Sequence, residues 1–356
     1  MRGRVRSISG HADEPLGEGW EVAPCPPGAI VHPSDIGTSL DWIPCPAPMT
    51  AAAALRAAGR WSLDASARRF DADDWWYRAR FTTPVAEAGE QIWLCFDGLA
   101  TIADVWLNGE PLLSSVGMFT GHERRVDSLL RPDNELLIRF HALDHALSAR
   151  RPRPRWRAPM IENQQLRWFR TTLLGRTPGW SPPAAAVGPW RPVRVERHRG
   201  IMVGDVRMQA TGDGVLDFTC TIKALDGAAP GAASLVVERE GRGHAVALAQ
   251  DGGEGQFAAR LTVPDVERWW PHTHGTPALY AARIDVTHGA GVTSVDLGKI
   301  GFRDISLDRS GDGFSIEVNG VPIFCRGACW TPLDPVSFEN EPAALARALD
   351  RPLPPG

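Results

Sequence analysis

Apolar and polar residues alternate over many short stretches of this 356-residue chain, and Gly, Pro or Asn ends most of them. A period of two places every second side chain on the same face of a sheet, so each stretch predicts a strand. The stretches of the first half span residues 75–84, 91–99, 101–112, 134–143 and 190–198. Asn108-Gly109 predicts a hairpin turn, because both residues tolerate a positive φ. Together these features predict a β-sandwich over residues 1–198, with a helix only at residues 49–60.

A second set of strand-like stretches, spaced by roughly ten residues, covers residues 203–305. This length is typical of one immunoglobulin-like sandwich, so residues 199–302 are predicted to form a second β domain. The segment 268–280 interrupts the alternation and contains two adjacent Trp and the pair His272 and His274. Two His at i and i+2 without a third ligand form a weak metal site, so a packing role is favoured for this segment.

The pattern changes again over residues 303–356, the third predicted segment. Asn319-Gly320 predicts a hairpin, residues 323–330 (IFCRGACW) an apolar strand, and residues 341–350 a helix. Strand, loop and helix are the opening unit of a β/α barrel, which needs about 250 residues, so we expect a truncated barrel entry. A lone barrel strand would have unpaired edges. Residues from about 325 onward are therefore expected to be disordered or docked on the sandwiches, and to promote self-association.

Composition argues against several classes of function. The net charge of −4 and a single basic cluster at residues 150–157 argue against a nucleic-acid partner. No stretch approaches 18 apolar residues, and the N-terminus lacks an apolar signal region, so no membrane contact and a cytoplasmic location are expected. None of the six Cys form a CxxC pair, which favours reduced thiols without metal or other cofactor. The excess of Arg over Lys suggests a GC-rich, bacterial genome.

Tryptophan is unusually frequent, with 14 Trp against 2 Tyr. Its large ring has an apolar face that stacks well on the apolar face of a sugar ring. A Trp-rich β protein is therefore a candidate for sugar binding. The alternative is that most of these residues belong to the core, and this is what we expect for the majority.

Several motifs, in the same order along the chain, resemble glycoside hydrolase family 2 and within it the β-mannosidase-like members. The motifs are FDGLATIADVWLNG (96–109), GMFTGHERRVDSLL (117–130), VGPWRPVRVE (187–196), RWWPHTHGTPALY (268–280), IGFRDI (300–305) and DGFSIEVNGVPIFCRGACWTPLD (312–334). The resemblance implies an all-β fold class: a galactose-binding-like jelly-roll sandwich, an immunoglobulin-like sandwich and the truncated start of a β/α barrel.

The resemblance also implies a retaining exo-glycosidase that acts on a β-mannoside-like glycan. Such enzymes use two carboxylates about 5–5.5 Å apart. In the family both are Glu on later barrel strands, and the acid/base directly follows an Asn. Asn-Glu occurs here at 134–135 and 340–341, but the context predicts a strand edge and a helix start instead. We therefore expect no catalytic residue in this chain.

Three residues are candidates for substrate binding by this resemblance. Trp180 lies in the segment 179–183 (GWSPP), which matches a family loop that helps to close the terminal sugar subsite, although Ser181 replaces an Asp. Trp330 and Asp334 follow the predicted barrel strand, where the active sites of barrels collect. The structural alternatives are a core position for Trp180, packing under the loop for Trp330 and a turn cap for Asp334.

Three functions remain open at this point. The chain could be the non-catalytic, hydrolytically silent N-terminal part of a β-mannosidase-like enzyme. It could instead be a stand-alone carbohydrate-binding module, or it could complement a separately made barrel. Whether it counts as an enzyme is left undecided by the sequence.

Overall fold

The computed structural model describes residues 12–84, 86–152, 154–253, 255–289 and 291–350. Strands dominate, as the predicted all-β class requires, and no sheet closes into a barrel in the described part of the chain. The chain forms two compact units. The first unit comprises Asp13–Ala86, Ile92–Glu196 and the described part of Cys329–Gly356; the second comprises Glu87–Gln91 and Arg197–Ala328. The domain boundaries predicted at 198 and 302 stay predictions.

In the described part of the chain the first sandwich has twelve strands. In chain order they are β1 (Ala12–Pro15), β2 (Trp20–Cys25), β3 (Ile43–Cys45), β4 (Asp74–Thr82), β5 (Glu90–Phe96), β6 (Leu99–Ala100), β7 (Ile102–Leu107), β8 (Glu110–Val116), β9 (His122–Arg125), β10 (Asp133–Phe140), β11 (Gly188–Pro189) and β12 (Val193–Arg199). A six-stranded sheet has the order β3-β2-β4-β10-β7-β8, a four-stranded sheet the order β1-β12-β5-β9, and β11 pairs with β6.

The second unit contains an immunoglobulin-like pair of four-stranded sheets and a small third sheet. Its strands are β13 (Ile201–Ala210), β14 (Val215–Ala224), β15 (Ala233–Arg239), β16 (Arg242–Ala247), β17 (Ala249–Gln250), β18 (Gln256–Thr262), β19 (Tyr280–His288), β20 (Gly291–Ile300), β21 (Ile305–Asp308), β22 (Ser315–Val318) and β23 (Val321–Ile323). The sheet orders are β13-β14-β18-β17, β16-β15-β19-β20 and β21-β22-β23. Alternating side chains of β14 and β19 fill the core between the two larger sheets.

Helices are short and few in the described part of the chain. They are α1 (Ala51–Ala57), α2 (Leu143–Leu147) and α3 (Pro342–Leu349), with 3-10 turns η1 (Pro33–Asp35), η2 (Phe70–Ala72), η3 (Gln164–Trp168) and η4 (Ser310–Asp312). The predicted helices at 49–60 and 341–350 are thereby confirmed as α1 and α3. Thr50 caps α1 by accepting from the Ala53 amide, and Glu341 caps α3 through the amides of Ala343 and Ala344.

Both predicted Asn-Gly hairpins are confirmed. Asn108 and Gly109 have φ values of 54° and 87°, and Asn319 and Gly320 have values of 52° and 78°. These left-handed conformations match the twist of the flanking strands. The Asn108 side chain also donates to the Leu129 carbonyl and accepts from the Glu135 amide, so the turn is fastened to the start of β10.

The predicted strand over 323–330 is wrong beyond its first residue. β23 ends at Ile323, and residues 324–330 have no regular structure. A strand needs a neighbour to satisfy its backbone groups, and β23 has β22 on one side only among the described residues. Phe324 is accordingly 84% exposed.

Residues 334–338 dock on the first unit, which is one of the two outcomes expected for this region. Val336 is buried in its main core, and the Thr50 hydroxyl donates to the Val336 carbonyl at 2.6 Å. Phe338 fills a smaller cluster with Ala100 and Met118. Docking is therefore confirmed for residues 334–338, while self-association stays a prediction.

Candidate functional site

A cleft of about 890 Å³ opens on the first unit and is the strongest candidate for a binding site in the described part of the chain. We call it the Arg176 cleft. Its walls are formed by residues 67–71, 144, 147, 162–166, 175–179, 181, 183 and 185. It therefore joins the turn η2, the short helix α2 and the two loops on either side of residue 170.

A buried ion pair forms the base of the Arg176 cleft. The Arg176 guanidinium donates to both carboxylate oxygens of Asp71 at 2.6 and 2.7 Å, and the two side chains are only 5% and 11% exposed. Further donors of Arg176 reach the carbonyls of Thr172 and Ala186. Because this bidentate geometry fixes a planar fork, Arg176 ties its loop to η2.

The loop at 175–185 is folded tightly enough to require glycine at one point. Gly175 has a φ of 81°, and a Cβ there would lie 2.4 Å from the backbone of Ala184. The Gly175 amide donates to the Ser181 hydroxyl at 2.8 Å. Ser181, where the resembled family has Asp, thus closes its own loop and has its oxygen already engaged.

Polar groups line the cleft above this base. Arg69 and Asp144 form an ion pair at 2.9 Å. Burial raises the pKa of the Asp144 carboxyl and Asp71 adds to the rise, while Arg69 opposes it. Glu162 and Gln165 have no side-chain hydrogen-bond partner among the described residues. The Nε of Arg68, which also lines the cleft, is buried and likewise has no hydrogen-bond partner among the described residues.

Trp180, the first predicted site residue, is not itself among the residues that line this cleft. Its neighbours Gly179 and Ser181 both line the wall, and its own side chain is 75% exposed. The alternative that Trp180 belongs to the core is therefore wrong. Of the 14 Trp, five are buried, five are half-buried and four are exposed.

Trp330 and Asp334 lie in the segment that docks on the first unit, and neither lines the Arg176 cleft. Trp330 is 53% exposed. Asp334 accepts from Arg56, from the Val336 amide at 2.9 Å and from the Ser337 hydroxyl at 2.8 Å. It therefore has the capping role that was the structural alternative, and its substrate role stays a prediction.

The electrostatics of Asp334 fit this structural role. Burial acts to raise the pKa of the Asp334 carboxyl, but the hydrogen bonds from Arg56, the Val336 amide and Ser337 lower it to about 2. The carboxylate is thus ionised at any pH near neutrality. It fixes the first turn after residue 334 and holds the segment against Arg56 on the end of α1.

The two Asn-Glu pairs have structural roles. Asn134 is 3% exposed and accepts from the Arg131 amide and from the Asn108 side chain. Glu135 pairs with Arg80 at 3.1 Å, and Glu341 caps α3 as described above. These contacts within the fold account for both Glu side chains.

The six Cys form no disulfide with one another. Cys325 and Cys329 are exposed, and the other four are buried. Burial raises the pKa of the Cys45 thiol to about 12 and that of Cys25 to about 11, so neither is a nucleophile at neutral pH.

Among the described residues no three His, Cys, Asp or Glu side chains cluster as a metal site would require. No described helix has the length and apolar character needed to cross a membrane.

The Arg176 cleft was missed by the sequence reasoning because its parts are far apart in the chain. Asp71 and Arg176 are separated by 105 positions. No motif in the sequence marks either residue, and the exposed Trp156, Trp168 and Trp180 of the nearby stretch do not line the cleft.

Comparisons with known proteins match each of the two sandwiches to a known domain. Residues 32–191 match the domain described as glycosyl hydrolase 2 galactose-binding domain-like, and residues 202–303 match the domain described as glycosyl hydrolases family 2. The chain is 31% identical over 289 residues to beta-mannosidase B of Aspergillus terreus, which covers 75% of this chain and 33% of that protein. Beta-mannosidase B of Thermothelomyces thermophilus is 27% identical over 272 residues, covering 73% and 32%. The chain spans about a third of the length of the curated relatives it matches.

Solved structures share the fold. The β-D-mannosidase from Dictyoglomus thermophilum superposes with a TM-score of 0.72 at 19% identity, over 94% of this chain and 41% of that one. A β-glucuronidase from Faecalibacterium prausnitzii superposes with a TM-score of 0.64 at 18% identity, over 98% and 55%. At such identities the likeness concerns the fold alone.

Proposed function

Because the chain belongs to glycosyl hydrolase family 2, of which it carries the galactose-binding-like and immunoglobulin-like domains, we propose that it is the non-catalytic N-terminal part of a β-mannosidase-like exo-glycosidase. The observation that carries this proposal is the order of two matched domains of one family along a single chain. The family reaction would be retaining hydrolysis of a terminal β-linked mannose or a related sugar.

The proposal includes that this chain does not hydrolyse glycosides by itself. Two carboxylates have to face one sugar at about 5–5.5 Å for the retaining reaction. The two Glu that follow an Asn are engaged elsewhere: Glu135 pairs with Arg80, and Glu341 caps α3. Asp71 is held by both nitrogens of the Arg176 fork, which leaves it unsuited to attack.

An assay of the pure chain tests this. We expect aryl β-D-mannoside and aryl β-D-galactoside to be released no faster than with a heat-denatured sample of the same preparation. Turnover that is present in the native sample and lost on heating would contradict the proposal. The Asp71→Asn and Glu135→Gln variants, tested on any such turnover, would then identify the carboxylate responsible.

A second candidate function, complementation of a separate barrel, is favoured by the small sheet β21-β22-β23. Its register places Ile305, Val318 and Val321 in one row across the sheet, and Leu307, Ile316 and Ile323 in the next. All six therefore share one face, and Ile305 and Leu307 are 58% and 48% exposed. An apolar face of this kind is typical of a surface that a further domain or chain covers.

Co-production with the remaining two thirds of the Aspergillus terreus relative tests the second candidate. We expect the two polypeptides to co-purify, and the double variant Ile305→Ser/Leu307→Ser to abolish this. Ser306→Ala, on the opposite face of β21, is the matched control and should leave co-purification intact. Equal recovery with the double variant would argue against this face, and sedimentation of the chain alone would reveal the self-association expected of the same face.

A further inference from the structure

We propose that residues 150–152 and 154–170, which we call the Arg-Trp surface, bind the face of an anionic lipid bilayer. The surface belongs to the first unit. The sequence expectation of no membrane contact rested on the lack of an apolar span, and a surface that lies on a bilayer needs no such span. The proposal does not depend on the proposed glycosidase role of the chain.

The Arg-Trp surface has a concentrated positive charge. The sequence from 150 to 170 contains seven Arg and one acidic residue, Glu162, although the chain as a whole has a net charge of −4. Four of these Arg are exposed and have no ion pair or side-chain hydrogen bond within the described ranges: Arg150, Arg155, Arg157 and Arg170. By contrast, the exposed Arg80 and Arg125 elsewhere on the first unit are paired with Glu135 and Asp127. The positive charge of the surface is therefore available to an external anion.

Contacts within the stretch hold the Arg-Trp surface together. The Arg167 guanidinium lies 4.6 Å from the centroid of the Trp156 ring, and the Arg151 guanidinium lies 5.0 Å from the centroid of Phe169. Such cation–π contacts are attractive because the face of an aromatic ring is negative. Both pairs join the beginning of the stretch to its end, so basic residues that are separated in sequence lie on one local surface.

The apolar side chains of the stretch divide into an inward and an outward set. Leu166 belongs to a small core, against which Ile161 packs. Trp156, Met160 and Trp168 are instead 64%, 53% and 48% exposed. Trp is favoured at the level of the lipid headgroups, because its ring is apolar and its N–H can donate to a polar group. Exposed apolar side chains among unpaired cations are typical of segments that lie on a membrane surface.

This outward apolar set favours a bilayer over a soluble polyanion. A sulfated polysaccharide or a nucleic acid would account for the unpaired Arg and could stack on the two Trp. It would leave the exposed thioether side chain of Met160 in water. A bilayer offers both partners: phosphate groups that accept paired hydrogen bonds from guanidinium groups, and an acyl boundary that takes up apolar side chains.

Co-sedimentation of the full chain with vesicles tests the proposal. We expect binding to vesicles of equal parts phosphatidylglycerol and phosphatidylcholine, no binding to phosphatidylcholine alone, and loss of binding as added salt screens the charges. The variant Arg150→Gln/Arg155→Gln/Arg157→Gln should lower the partition coefficient roughly 100-fold, because each Arg close to an anionic surface contributes about fivefold. Met160→Ser leaves every charge in place and should lower the partition coefficient several-fold.

The triple variant Arg242→Gln/Arg309→Gln/Arg326→Gln is the matched control. These three Arg are exposed on the second unit, have no ion pair within the described ranges, and change the net charge of the chain by the same amount. Vesicle binding of this control should equal that of the unmodified chain.

Three results with vesicles would each overturn the proposal: no binding to the anionic vesicles, equal binding to the neutral ones, or an equal loss of binding in the two triple variants. Dextran sulfate and single-stranded DNA provide the comparison with soluble polyanions. Binding of either one through Arg150, Arg155 and Arg157, without binding to the anionic vesicles, would also overturn the proposal and assign the surface to a soluble polyanion. These measurements do not involve glycoside hydrolysis, so their failure can be told apart from failure of the proposed function.

Discussion

Removing the ring of Phe338 is the most direct test of how residues 334–338 are held on the first unit. The ring is 8% exposed and packs with Ala100, Met118 and Ala186. Its edge meets the ring of Trp190 with the centroids 6.0 Å apart and the planes at 74°. The segment has one other apolar anchor in the core, Val336.

Two terms of opposite sign set the expected size of the effect. Truncating a buried Phe to Ala typically costs about 3–5 kcal/mol through lost burial and the cavity that remains. Phe338 also has a φ of 61°, a left-handed conformation that costs a non-glycine residue about 1–2 kcal/mol. Phe338→Ala loses the ring and keeps this backbone cost, whereas Phe338→Gly loses the ring and escapes it. The free energy needed to open the segment should therefore be about 1 kcal/mol higher in the glycine variant than in the alanine variant, even though glycine has the smaller side chain.

Hydrogen exchange of the backbone amides in this segment measures the opening directly. The amides of Val336 and Phe338 are bonded to Asp334 and report the local equilibrium. We expect Phe338→Ala to accelerate their exchange by about 100-fold or more, since 1.4 kcal/mol corresponds to a factor of ten, and Phe338→Gly to accelerate it about fivefold less. Phe324→Ala, which alters a ring that is 84% exposed, should leave exchange unchanged.

Two results would refute this reasoning in different ways. Unchanged exchange in Phe338→Ala, or an equal effect of Phe324→Ala, would mean that the ring does not hold the segment. Faster exchange in Phe338→Gly than in Phe338→Ala would mean that the left-handed backbone carries no cost at this position. The first outcome concerns packing and the second concerns the backbone, so the pair of variants separates them.

Three further predictions concern charges and hydrogen bonds of the first unit. The pKa of Asp334 is about 2 in the folded state, below its unfolded value of 3.8. The stability that this carboxylate contributes is therefore present above pH 4 and is lost as the pH falls toward 2. Cleavage of the segment by pepsin should rise over that interval more steeply in the unmodified chain than in Asp334→Asn. Asp71→Asn leaves the Arg176 cation buried without its counterion and should lower the free energy of unfolding by about 3 kcal/mol in urea titrations. A loss below about 1 kcal/mol would show that the ion pair does not stabilise the cleft. Asn108→Ala removes three hydrogen bonds and should cost about 2–3 kcal/mol by the same measurement, with Asn108→Gly recovering only the part due to its φ of 54°.

Local features of the fold were predictable because they depend on neighbours in sequence. The period-two stretch at 134–143 became β10, and both Asn-Gly turns adopt the positive φ values that a two-residue hairpin needs. The run of Ala after Thr50 forms α1 because Ala has the highest helix propensity and Thr50 caps the first turn, and the core buries Ala51–Leu55. The conformation at these positions depends mainly on residues that are close by in the sequence.

Features that depend on distant partners were not predictable. Residues 323–330 have the apolar composition of a strand, yet the chain leaves the sheet at Ile323 because no described strand lies beyond β23. A core position was the structural alternative for Trp180, whereas its side chain is 75% exposed in the loop that contains Gly175 and Arg176. In both cases the deciding contact lies far away in sequence or is missing.

Two carboxylates of the first unit differ in how many of their acceptor positions the fold already uses. A carboxylate has about four acceptor positions. At Asp334 each oxygen already accepts twice, once from Arg56 and once from the Val336 amide or the Ser337 hydroxyl. A hydroxyl could bind there only by displacing one of these donors and loosening the docked segment. Glu162 has no such donors among the described residues and is exposed, so a donor that binds to it would displace only water. A carboxylate predicted from a motif can thus be fully occupied by the fold, while one without any motif remains free for a ligand.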